Sequence, residues 1–62
     1  MKKTRIADGS YEYQKDGMLY RVEPCAELDT WQLFMLSPER EWVFIGQSKW
    51  LDVIEETIKE SK

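Results

Sequence analysis

The side chains able to do chemistry in this 62-residue chain are few, and each lacks the partners chemistry needs. Cys25 is the single thiol, and there is no histidine. A cysteine nucleophile needs a neighbouring base, so a core or loop cysteine is the plainer reading. Glu39 and Glu41 flank Arg40 in Ser37-Pro38-Glu39-Arg40-Glu41 and look at first like paired carboxylates. General acid–base work needs a carboxylate held in a pocket that shifts its pKa. A turn tip in a domain of this size has no such pocket, so a polar turn is expected. The three glycines are scattered as turn residues, with no Gly-rich phosphate loop. One cysteine without histidine excludes a structural zinc site. The expectation is a protein with no catalytic residues, no metal and no cofactor.

Binding chemistry is better provided for. The stretch Trp31–Ile45, WQLFMLSPEREWVFI, is the most hydrophobic part of the chain. It reads as two apolar strands, Trp31–Leu36 and Trp42–Ile45, around a polar turn. Gln32 is the only polar residue in either strand. If Gln32 faces solvent, alternation turns Trp31, Leu33 and Met35 to the core and Phe34 and Leu36 outward. A five-residue turn would pair Phe34 with Phe44, placing Trp42 and Phe44 outward and Val43 and Ile45 inward; a two-residue turn at Glu39-Arg40 would swap the faces of that strand, and the longer turn is preferred. A sheet with a solvated side normally alternates apolar and polar residues. This pair of strands does not. Either the N-terminal segment covers the outer face, or a second copy does, or it docks a partner. Phe34, Leu36, Trp42 and Phe44 are the expected partner-binding residues, aromatic side chains being favoured interface anchors.

Charge is unevenly spread. The net charge is −3. Without Lys2, Lys3 and Arg5, six basic side chains face twelve acidic ones. An acidic body repels phosphate, which argues against nucleic-acid binding. The acids Asp52, Glu55 and Glu56, with Glu23, Glu27 and Asp29, could mimic phosphates. A solvated face kept polar for solubility is the simpler account. Lys2, Lys3 and Arg5 could form an arm reaching nucleic acid, but three charges release few counterions, and a solubilising terminus is expected.

The remaining elements follow from turn and cap signals. Asp8-Gly9-Ser10 marks a turn, and residues 1–9 read as frayed or as an edge strand. Asp16-Gly17 between alternating residues is a type I′ hairpin signal. The register that follows puts Lys15 opposite Met18, Tyr13 opposite Tyr20 and Glu12 opposite Arg21. Tyr11, Tyr13, Met18, Tyr20 and Val22 then share the core face. Pro24 should end the second strand, and residues 24–30 should connect without a long helix. Gly46-Gln47-Ser48 should break the last strand, with Ser48 as N-cap. Lys49–Glu60 is then an amphipathic helix packing through Trp50, Ile54 and Ile58, with Asp52, Glu55, Glu56 and Lys59 on its polar side.

The fold class predicted is α+β, one domain over residues 1–62. It is a small antiparallel sheet of two hairpins, three to four strands, with one C-terminal helix on one face. The order strand, turn, strand, Gly-x-Ser, amphipathic helix over residues 31–60 resembles AP2-type and integrase arm-type DNA-binding domains. It is also similar to small phage-encoded sheet-plus-helix proteins, some of which inhibit host defence. The resemblance implies a fold only. The DNA binders present basic and polar residues on the exposed sheet face, whereas this chain offers Glu12, Gln32, Phe34, Trp42 and Phe44 there.

A chain this short buries only about 60% of its surface, so it gains from dense aromatic packing or from oligomerisation. Three Trp, three Tyr and two Phe favour the first, and a homodimer is expected from the second. No apolar run follows the basic start, and no stretch approaches the ~20 apolar residues of a membrane span. A cytoplasmic protein without membrane contact is expected. Its function would be a regulator or inhibitor that occupies a partner protein's surface. The alternatives are a sheet-plus-helix DNA-binding domain using Arg21, Arg40 and the basic N-terminus, or an assembly subunit.

Overall fold

The computed structural model describes residues 1–6 and 9–60. The chain forms β1 (Lys2–Arg5), β2 (Tyr11–Lys15), β3 (Met18–Cys25), β4 (Thr30–Leu36), β5 (Trp42–Ser48) and α1 (Leu51–Glu60). All strands join one antiparallel sheet in sequence order, β1-β2-β3-β4-β5. One helix covers part of one face. The α+β class holds, with five strands where three to four were expected. The extra one is β1, so of the two readings of the N-terminus, frayed or edge strand, residues 2–5 take the second. The expected turn at residues 8–10 is only partly visible, since Ala7 and Asp8 lie outside the described residues. Gly9 has φ 77°, and Ile6 N–H donates to the Ser10 carbonyl at 2.8 Å.

The first hairpin has the predicted register throughout, Tyr11↔Val22 to Lys15↔Met18. Asp16 and Gly17 both take positive φ, 51° and 80°, as a type I′ turn requires. Gly17→Ala meets no neighbour, so its whole cost is conformational. Placing a β-carbon at that φ should lower stability by about 1 kcal/mol, read from the urea midpoint.

Pro24 does not end β3, which runs on to Cys25 with Pro24 opposite Trp31. The proline is tolerated because β2 stops at Tyr11, opposite Val22. Beyond that point β3 has a paired strand on one side only, and a missing N–H can face the open side. The β3–β4 loop closes at Cys25↔Thr30, with Asp29 at φ 53°. At the β4–β5 turn, Arg40 N–H donates to the Ser37 carbonyl (2.9 Å) and Ser37 N–H to the Glu41 carbonyl (2.8 Å), with Arg40 at φ 68°. This is a type I turn followed by a left-handed bulge residue. Leu36 then opposes Trp42 and Phe34 opposes Phe44, as the longer turn predicted.

Gly46-Gln47-Ser48 does not break β5. The strand continues through it, and the register shifts by one residue between Leu33 and Phe34. Leu33 opposes Gly46 while Phe34 opposes Phe44, so Ile45 is a bulge residue without a partner on β4. Such an insertion keeps pairing alive at the cost of a local bend.

The core is Tyr13, Tyr20, Val22, Leu33, Ile54 and Ile58, with Tyr11, Met18, Trp31, Met35 and Leu51 packed around it. Helix α1 starts at Leu51, two residues later than the capping signal suggested. Ser48 Oγ accepts from Trp50 N–H (3.1 Å), a turn that leads into the helix, and the Trp50 carbonyl accepts from Ile54 N–H (3.4 Å). Trp50 therefore precedes the helix and misses its apolar face. It is 68% exposed, and Leu51 packs in its place. The helix is fastened at its far end by Lys15, whose Nζ donates to the carbonyls of Ile58 (3.1 Å) and Lys59 (2.6 Å). A cation there also complements the helix dipole.

Candidate functional site on the outer sheet face

Alternation along the strands sorts the sheet's side chains into two faces. Tyr13, Tyr20, Val22 and Leu33 lie beneath α1. The other face carries Glu12, Leu19, Arg21, Glu23, Gln32, Phe34, Leu36, Trp42 and Phe44. Among the described residues no element covers it. The N-terminal segment, one of the three coverings considered, instead adds β1 beside β2, at the edge away from β4 and β5.

The structure brings the four predicted partner-binding residues together. Phe34 and Phe44 face each other across β4 and β5, ring centroids 5.7 Å apart and edge-on. Leu36 opposes Trp42 in the same ladder. Phe44 is half exposed, Trp42 somewhat less, and Phe34 and Leu36 are partly covered by these neighbours. The result is an apolar tract at the β4–β5 side of the sheet, continuous in register.

Its polar border is Arg21. The guanidinium lies 4.6 Å from the Trp42 ring, a stacked cation–π contact. Arg21 Nη2 also sits 3.6 Å from Glu12 Oε2, the pair expected from the hairpin register. Arg21 Nε is buried and makes no hydrogen bond within the described chain. Arg21, Glu23, Phe34 and Trp42 enclose a shallow recess of about 130 Å³. The Arg21–Trp42 stack was not legible from spacing, because the two residues lie on strands that are not neighbours.

A second recess, about 240 Å³, lies at the opposite end of the sheet between Pro24, Cys25, Asp29, Trp31 and Lys49. Cys25 reaches it partly exposed, and no group of three metal-ligating side chains occurs among the described residues. Glu39, Arg40 and Glu41 are exposed at the β4–β5 turn.

The acidic helix face is smaller than expected. Asp52 and Glu56 are exposed. Glu55 leaves that face and engages the sheet. Its Oε2 accepts from Tyr13 Oη at 2.6 Å and from Lys3 Nζ at 2.8 Å. The Lys3 hydrogen bond, then the Tyr13 hydrogen bond, holds the Glu55 carboxyl below its ordinary range. Burial, then the Glu55 hydrogen bond, pushes the Tyr13 hydroxyl well above its ordinary value. The Glu55 hydrogen bond raises the Lys3 ammonium. Lys3 Nζ also lies 4.5 Å from the Tyr11 ring. Lys3 thus joins edge strand β1 to the helix, which leaves Lys2 and Arg5 as the remainder of the proposed basic arm. Only contacts 52 and 42 residues apart in sequence create this cluster, and no local signal marks it.

No helix of the described residues is long and apolar enough to cross a membrane. No protein-family model matches the chain, and no curated protein or solved structure matches it.

Proposed function

We propose that the chain is a non-enzymatic protein-binding module, a regulator or inhibitor that acts by occupying a partner protein's surface with its outer sheet face. The observation that carries this reading is the uncovered apolar tract of Phe34, Leu36, Trp42 and Phe44, held flat by β4 and β5. Contiguous exposed apolar surface marks interaction sites, and rings fixed by cross-strand packing lose little freedom on binding. The tract is bordered by Arg21 and Glu23, which suit a partner with an apolar centre and a polar rim. The likeness to small phage-encoded inhibitors is consistent with this mode of action. Asp52 and Glu56 remain as an acidic surface that would steer a basic partner.

The DNA-binding reading has less in its favour. Arg21 is engaged by Trp42 and Glu12, and Lys3 by Glu55. That leaves Lys2, Arg5 and Arg40, three charges that would release few counterions.

The double substitution Trp42→Ala and Phe44→Ala is expected to leave the fold intact and to lower partner affinity at least ~100-fold, as loss of two anchors does. The check is capture from bacterial lysate by tagged wild type and variant, with and without nuclease, with circular dichroism on both. Equal capture by the two folded proteins would defeat the proposal. Capture abolished by nuclease would replace it with nucleic-acid binding.

A further inference from the structure

The two edges of the sheet are treated very differently. Edge strand β1 reads KKTR and carries three cations, a common protection against unwanted strand pairing. Edge strand β5 reads WVFIGQS and carries no charge and no proline. Four consecutive apolar residues on it are exposed: Trp42 39%, Val43 43%, Phe44 52% and Ile45 44%.

The exposure falls on both faces of the strand. Trp42 and Phe44 belong to the outer face. Val43, opposite Met35, belongs to the inner face, yet α1 does not reach far enough to cover it. A partner lying flat on the outer face would leave Val43 bare. An added strand, with side chains on alternate faces, meets exposed residues on both sides of β5 at once.

The backbone is set up for such an addition. Ser37 N–H bonds the Glu41 carbonyl, so that pair is a hydrogen-bonded one. Alternation makes Met35–Val43 the next bonded pair, and it leaves Trp42 and Phe44 with N–H and C=O directed at the free edge. We infer that β5 pairs antiparallel with β5 of a second copy of this chain, about a twofold axis at Val43.

That register is self-consistent in each respect. Trp42 of each copy meets Phe44 of the other as a bonded pair on the outer face. The two Val43 side chains meet as a non-bonded pair on the inner face. The interface is isologous, with the same strip on both sides, and its neutrality lets two acidic bodies approach. Val53 lies on the flank of α1 opposite Glu55, turned away from β1 and β2, and is exposed, as is Trp50. Residues 42–45 and Val53 offer on the order of 400 Å² of apolar surface per copy at or beside this edge, less than the apolar share of a standard interface, and the main-chain hydrogen bonds of the paired edges supply the rest. The inference rests on reading the 42–45 strip as an interaction surface. It leaves the outer face open and doubles its width.

The test is charge placement at Val43, an exposed position where substitution should not disturb folding; circular dichroism checks this. Light scattering on the full chain at ~100 μM is expected to give twice the 7.4 kDa chain mass. V43K and V43E alone each bring two like charges together and should weaken the dimer on the order of 100-fold. An equimolar mixture of V43K and V43E should restore the double mass. As a second measurement, V43C in a C25S background should form an intermolecular disulfide on mild oxidation, because a non-bonded antiparallel pair brings the two positions within reach. A wild type that stays monomeric up to ~1 mM, charge variants that stay dimeric, or a V43C variant that does not crosslink would overturn the pairing. A monomer that still captures a partner through Trp42 and Phe44 would sink the dimer and leave the docking function standing. A dimer that captures nothing would do the reverse.

Discussion

Ile58→Ala is expected to lower the unfolding free energy by about 3–4 kcal/mol. Ile58 is fully buried between the last turn of α1 and the sheet. Its removal loses the transfer term of the side chain and leaves a cavity that the stiff neighbours Tyr13 and Tyr20 cannot refill. A chain of this length has roughly 3–9 kcal/mol of stability in total. The variant should therefore lose most of its folded population at 37 °C, with the helix released first. Trp50→Ala is the informative control. It deletes the larger side chain, yet Trp50 is mostly exposed and outside the helix, so a change within about 0.5 kcal/mol is expected. Urea midpoints at constant m-value decide both. Equal losses for the two variants would mean that the helix packs through Trp50 after all.

That contrast also marks what could be read from sequence. The Asp16-Gly17 hairpin was legible residue by residue, because its turn type, register and Glu12–Arg21 pair all follow from local chemistry. The outward tract is legible in part: Gln32 fixes the phase of β4, but two turn lengths suit Ser37–Glu41, and only the longer one, which the structure shows, turns Trp42 and Phe44 outward. Local signals mislead around Gly46-Gln47-Ser48. Gly46 and Ser48 look like the end of a strand and the cap of a helix, but β5 absorbs them through a bulge at Ile45, and that delays the helix past Trp50. Pro24 misled for a different reason. Whether a strand tolerates proline depends on whether a neighbour lies beside it, and the length of β2 decides that. The free edge at β5 needed the strand order, since no residue in WVFIGQS says whether another strand will flank it.

Glu55 gives the chain an acid limb of known origin. Its carboxyl is held below the ordinary value of 4.5 by Lys3 and Tyr13. A depressed carboxylate stabilises the fold above its unfolded pKa, and that contribution is lost as pH falls through the folded value. Stability should be flat near neutrality and decline below about pH 4.5. The alkaline side runs the other way. Tyr13 and Lys3 are both raised from ordinary values of 10.0 and 10.5. Their stabilisation is fully present below those values and fades as pH climbs through the folded ones, so a second decline should begin above about pH 10. Glu55→Gln keeps an acceptor for Tyr13 but removes the charge. At pH 7 it should cost about 1 kcal/mol, chiefly the difference between a charged and a neutral acceptor for buried Tyr13, because the Lys3 contact is solvent-screened. The variant's urea midpoint should also depend less on pH between 3 and 5 than that of wild type. Parallel curves for the two proteins over that range would assign the acid limb to other carboxylates. They would leave the Lys3–Glu55–Tyr13 cluster as geometry without energetic weight, with β1 held only by its ladder to β2.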